Sequence, residues 1–197
     1  MRRNVRQYDR VLGGFGVRNV RSAYKRGKGS AGAVRLNEEE VMLYDVLKTV
    51  HLLSLVLWVG GMMFAQFFLR PAVLQLEGPQ RLALMQDVLG RFFKAVTAVS
   101  LLVLITGFWM IGRVAKQMVQ SGTSFQMPVS WWFMAIAGTL MVAIFFHIRF
   151  ALYKKLNDAV KFSVWDKGAV ALGKIRLWVS INLGLGILII AVTLLYK

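Results

Sequence analysis

Residues 48–71 read KTVHLLSLVLWVGGMMFAQFFLRP. Between Lys48 and Arg70 no side chain carries a fixed charge, and one histidine, His51, sits inside the apolar run. The run reaches the ~20 residues that an α-helix needs to cross a ~30 Å hydrocarbon core. Lipid offers the backbone no hydrogen-bond partner, so a spanning segment of this kind is helical. Working outward from it, apolar segments recur along the chain. Four spans are expected, over about 43–69, 92–112, 129–150 and 176–196.

Composition agrees. Of the 197 residues 57% are hydrophobic and the mean hydropathy is +0.56, against roughly 45–50% apolar residues in soluble domains. The connections are short enough to make successive helices antiparallel neighbours. The expected fold is all-α, a polytopic membrane protein built as an antiparallel four-transmembrane-helix bundle over 42–197. Residues 1–41 read as a basic, disordered N-terminal extension. The first forty carry ten Lys or Arg and no apolar signal-like core. Met42 stands directly before LYDVLKTVHLL and is an alternative translation start.

The formal charge of +16 sits in the extension and the connections, with no recognised nucleic-acid motif. It reads as lipid-headgroup contact and topology control rather than nucleic-acid binding. Eleven of the 25 basic residues fall on the side that holds loops 70–91 and 149–176. Four (Lys48, Arg113, Lys116 and Lys197) fall on the other side once the extension is set apart. The positive-inside rule places the eleven-charge side in the cytoplasm. With translation from Met42, both termini then lie outside; a translated ten-charge extension would force the opposite orientation. Locally, Pro79 suits the first turn of a helix, Asp166 reads as an N-cap, and 152–165 reads as an amphipathic segment lying at the interface.

The chain has no cysteine. Disulfides, thiolate metal sites, iron–sulfur clusters and thiol catalysis are excluded. A metal would have to use His, Met, carboxylate or carbonyl ligands. There is no phosphate loop, GxSxG, HExxH or carboxylate pair, so hydrolase and glycosidase chemistry lacks its residues.

Ionisable residues inside spans are functional candidates by default. The two histidines, His51 and His147, both fall in spans. At about 1.5 Å of rise per residue they differ in depth by about 15 Å. They therefore cannot be the two axial ligands of one haem within one chain. At the His51 level lie Tyr44, Lys48, Thr106, Met110 and Met134. At the His147 level lie Met62, Met63, Lys94, Ser180 and Asn182. Imidazole with thioether is a soft donor set suited to Cu(I). The plainer alternative is that methionines fill apolar packing. On that reading a histidine in a bundle hydrogen-bonds Thr106 or a carbonyl on a neighbouring helix.

The segments LKTVHLLSLVLWVGGMMFAQFFLRPAV, FFHIRFALYKKLNDAV and GKIRLWVSINLGLGILIIAV resemble the copper resistance protein D (CopD) family of bacterial inner-membrane proteins. The resemblance implies a role in copper homeostasis or transport, with His51, His147, Met62, Met63, Met110 and Met134 as metal-ligand candidates. A homodimer and a periplasmic copper-binding partner go with that reading. The first span and HIRFALYKKL are also similar to HemJ-type protoporphyrinogen oxidases. That likeness implies haem b, with His51 as axial ligand, Lys48 or Arg70 at the propionates and Trp58 on the macrocycle. A third reading is a structural or assembly subunit without a cofactor.

Overall fold

A computed structural model describes residues 31–120, 122 and 126–195, with side chains from residue 41 onward except that of Gln117. It has four helices long and apolar enough to cross a membrane. Helix α1 (31–75) runs through Ala31–Phe64, a π-helical turn at Ala65–Leu69, Arg70–Ala72 and a 3-10 turn at Val73–Gln75. Helix α2 is Gly78–Gln120, α3 is Val129–Lys161 and α4 is Trp165–Leu195. A compact unit covers Leu47–Tyr196, and Met1–Val46 with Lys197 forms a second unit. In the second unit the described residues are helical from Ala31, where Ala31, Ala33, Leu36 and Glu38 to Glu40 are good helix formers. The remainder of the extension expected to be disordered lies outside the described residues.

The helices outrun the expected spans, for local reasons. Gly78 and Pro79 open α2, where a missing N–H costs nothing. Pro71 cannot donate to the preceding turn, and the chain absorbs this by widening: the Arg70 N–H reaches the Ala65 carbonyl. A second π-helical turn, His147–Leu152, lies within α3. The segment expected at the interface is instead the continuation of α3, with Tyr153, Leu156 and Ala159 buried and Lys154 and Lys155 exposed. Its apolar face had a helical neighbour to meet, because α4 packs along it. The turn between α3 and α4 uses Ser163 in the left-handed region (φ 56°), and the Val164 N–H closes on the Ala159 carbonyl at 2.8 Å. Trp165 starts α4, so Asp166 sits inside the first turn rather than at the cap expected of it. There it still faces the positive end of the helix.

A chain of aromatic rings links three helices. Trp58 of α1 meets Phe145 of α3 edge-on at 5.9 Å, Phe145 meets Phe93 of α2 at 5.9 Å, and Phe93 meets Tyr153 at 5.5 Å and 88°. Trp58 and Phe93 are 2% and 1% exposed. The Tyr153 hydroxyl then donates to the Gln86 carbonyl at 2.9 Å. Small residues let these helices approach: Gly61 lies against the Phe92 ring, Gly90 against the Tyr153 hydroxyl, and Gly186 between Met141 and Val59. Leu53, Val56, Phe67, Ile136 and Leu177 point outward. An apolar outer surface of this kind is the lipid-facing surface of a polytopic membrane protein.

Truncating Phe93 to Ala removes the ring that joins α2 to both halves of α3. Thermal unfolding in detergent should show a loss of about 3–5 kcal/mol. Gly90→Ala should also lower the midpoint, because a Cβ there collides with the hydroxyl that bonds Gln86. Gly60→Ala, facing open space, should leave it unchanged.

Candidate functional site: a histidine fixed between the first two helices

His51 is half-buried on α1 and faces α2. Its Nδ1 lies 2.9 Å from the Thr106 hydroxyl oxygen. That hydroxyl is already a donor, to the Leu102 carbonyl at 2.5 Å, one turn back on its own helix. A hydroxyl has one proton to give. The Val103 carbonyl is a further acceptor for the same hydroxyl at 3.3 Å. The direction of that hydroxyl proton sets the His51 tautomer: pointed at a carbonyl, it leaves the oxygen to accept from Nδ1, and Nε2 then carries the lone pair. Gly107 makes room for the ring, since a Cβ there would lie 3.3 Å from its Cε1. The hydrogen bond to Thr106 is the contact that the plainer packing reading of the sequence expects. The glycine beside it looks in the sequence like any helix-contact glycine.

A histidine hydrogen-bonded through one ring nitrogen has the form that metal-binding histidines take. A hydrogen bond on one ring nitrogen fixes tautomer and orientation, and the other nitrogen is presented as a donor. Met110 follows Thr106 by four residues, so it is on the same face of α2 one turn further along. It is half-buried, as is Met134 on α3. These thioethers share the level of His51.

The second level looks different. Met62 is 2% exposed and packs in the core, where the Asn182 side-chain amide of α4 points its Nδ2 at the Met62 sulfur, 3.9 Å away. Asn182 is itself 1% exposed, and its Oδ1 is buried without a hydrogen-bond partner. Met63 is 42% exposed. Successive residues on a helix point about 100° apart, so Met62 and Met63 face different surroundings. His147 lies on the outer surface of α3 and meets the Trp178 ring of α4 at 5.4 Å. The structure therefore brings Met62 and Asn182 together in the interior, while His147 and Met63 face outward. Nearby, Gln66 Nε2 hydrogen-bonds the Arg176 carbonyl at 3.2 Å and also reaches the Ser180 hydroxyl.

The residues considered for a haem are spread along α1. Lys48 is exposed, Trp58 is enclosed by the aromatic core, and Arg70 is exposed. Arg70 lies about 28 Å along the helix axis from His51. Among the described residues no three His, Cys, Asp or Glu side chains converge. Among the described residues the bundle buries the hydroxyls of Ser54, Ser100 and Thr106 and the amide of Asn182, with the half-buried imidazole of His51 and the Met62 thioether beside them.

A family model for copper resistance protein D matches residues 86–196, which takes in most of α2 and all of α3 and α4. No curated protein and no solved structure matches the chain. Thr106, Met110, Met134 and His147 fall within the match, and His51 precedes it. The match covers more than half of the chain and ends with the fourth membrane helix. This multi-pass membrane protein belongs to the copper resistance protein D family.

Proposed function

We propose that the protein takes up Cu(I) as cargo at His51 and passes it through the bundle by soft donors. The observation that carries this reading is the Thr106 hydrogen bond, which engages Nδ1 of His51 and makes Nε2 the nitrogen that would take the ion. Met110 and Met134 at the same level supply thioethers, and thioether with imidazole favours a soft monovalent ion over a hard one. About 16 Å further along α1, past the buried hydroxyls of Ser54 and Ser100, Met62 and the unpartnered Asn182 oxygen offer a further polar foothold. A buried acceptor without a partner is costly, and a passing cation would relieve it.

For a chain that starts at Met42, the positive-inside rule turns the end with Arg70, Arg91, Lys94 and Arg149 to the cytoplasm. The His51 end then opens to the periplasm of a bacterial inner membrane. A periplasmic copper-binding protein would deliver the ion there, and a second copy of the chain would complete the path on the lipid-facing sides. On this reading the protein is a carrier rather than an enzyme.

Cu(I) affinity of the detergent-purified chain, measured by competition with a chromophoric chelator, tests the proposal. His51→Ala should lose the tight site. Thr106→Val, which removes the acceptor that fixes the tautomer, should weaken binding by about 10- to 100-fold, whereas Thr106→Ser should bind like the parent chain. Unchanged stoichiometry and affinity in His51→Ala would overturn the copper reading. So would a Soret band of about one haem per chain that disappears in His51→Ala, which would instead make His51 a haem b ligand.

A further inference from the structure

The opposite end of the bundle holds a cleft of about 510 Å³ between α2 and the late part of α3. Its floor is a fixed polar lattice. Tyr153 donates to the Gln86 carbonyl at 2.9 Å, and Gln86 Nε2 donates to Asn157 Oδ1 at 2.8 Å. Arg149 lies over it, with its guanidinium carbon 5.2 Å from the Tyr153 ring centre and 5.9 Å from that of Phe150. Stacking on two rings holds this cation in place. One carboxylate lines the cleft, that of Asp87, and it is 3.1 Å from Arg91. Lys94, Arg149 and Lys154 are therefore left with no carboxylate among the lining residues.

Position limits what could neutralise them. Lys94 opens the apolar run of α2 and Arg149 closes that of α3, so the three cations sit where hydrocarbon gives way to headgroups. Phe150, at the rim, is 63% exposed. A ligand that fits must bring an anion at headgroup depth and an apolar tail beside an outward-facing ring. The neighbouring cleft between α3 and α4 makes a contrast. There Lys155, Lys167 and Lys174 share the lining with Asp158 and Asp166.

We propose that the cleft over Tyr153 binds the phosphate headgroup of an anionic phospholipid. Lys94, Arg149 and Lys154 meet the phosphate oxygens, and an acyl chain lies against Phe150. Basic pockets between membrane helices are built for this chemistry, and Arg149 supplies planar donors to the phosphate. The site is independent of the copper reading and would stand if His51 bound no metal.

Native mass spectrometry of the full chain in zwitterionic detergent, titrated with phosphatidylglycerol or phosphatidylcholine, tests it. The parent chain should prefer phosphatidylglycerol by about tenfold or more, and each cation lost should cost about fivefold. Lys94→Gln with Arg149→Gln should bring the two lipids close to parity, while Lys155→Gln with Lys167→Gln should keep the preference. Should the Arg149 variant fail to fold, Lys94→Gln with Lys154→Gln, both at exposed positions, carries the same expectation. Equal binding of both lipids by the parent chain would overturn the proposal. So would an equal loss in the control pair, or full displacement of the lipid by millimolar inorganic phosphate, which would assign the cleft to free phosphate.

Discussion

A backbone surrounded by hydrocarbon has no solvent to bond with, and the architecture follows from that constraint. It makes each apolar run a helix and keeps it unbroken within the lipid. It also turns a proline into a local geometric problem. At Pro71 the missing N–H is absorbed by a π-helical turn, and the helix continues. Because lipid is as apolar as the side chains, burial alone does not hold the helices together. Interlocking shape has to do it, through the ring chain Trp58, Phe145, Phe93 and Tyr153 and the glycines that let neighbouring helices close on it.

Polar side chains inside such a bundle are few, and each has a specific relation to a neighbour. Thr106 meets the Leu102 carbonyl on its own helix and Nδ1 of His51 on another. Asn182 spends its amide hydrogen on a methionine sulfur and leaves its oxygen unpaired. In water such details are averaged over solvent contacts. In hydrocarbon they decide which atoms remain available to a ligand. The two ends of the bundle are therefore chemically distinct: a neutral donor set around His51, and a cation-rich rim around Arg149.

Much of the fold was legible because it depends on local composition. Runs such as 48–71 and 129–150 are long enough and apolar enough to admit one answer, and the match to copper resistance protein D agrees with the likeness carried by 145–160 and 173–192. Helix ends were less legible. The residues 152–161 look like a surface helix because their lysines are visible in the sequence, whereas the α4 face that buries Leu156 is not. Asp166 misled for a related reason, since a cap is defined by where the preceding turn ends, and Ser163 set that.

The sequence by itself determined that this is a four-span membrane protein. It also determined that any metal must be met by imidazole, thioether or oxygen, and that, with residues 1–41 set apart, one end is far more basic than the other. These are consequences of counts and periodicity. Which of two neighbouring methionines faces inward, which histidine turns toward the bundle, and which nitrogen of His51 meets Thr106 were decided by tertiary structure. Depth along a helix can be counted from the sequence, but the direction of a side chain depends on how each helix is rotated against its neighbours. That rotation is set by long-range packing at Phe93, Phe145 and Gly107, residues far apart in the chain.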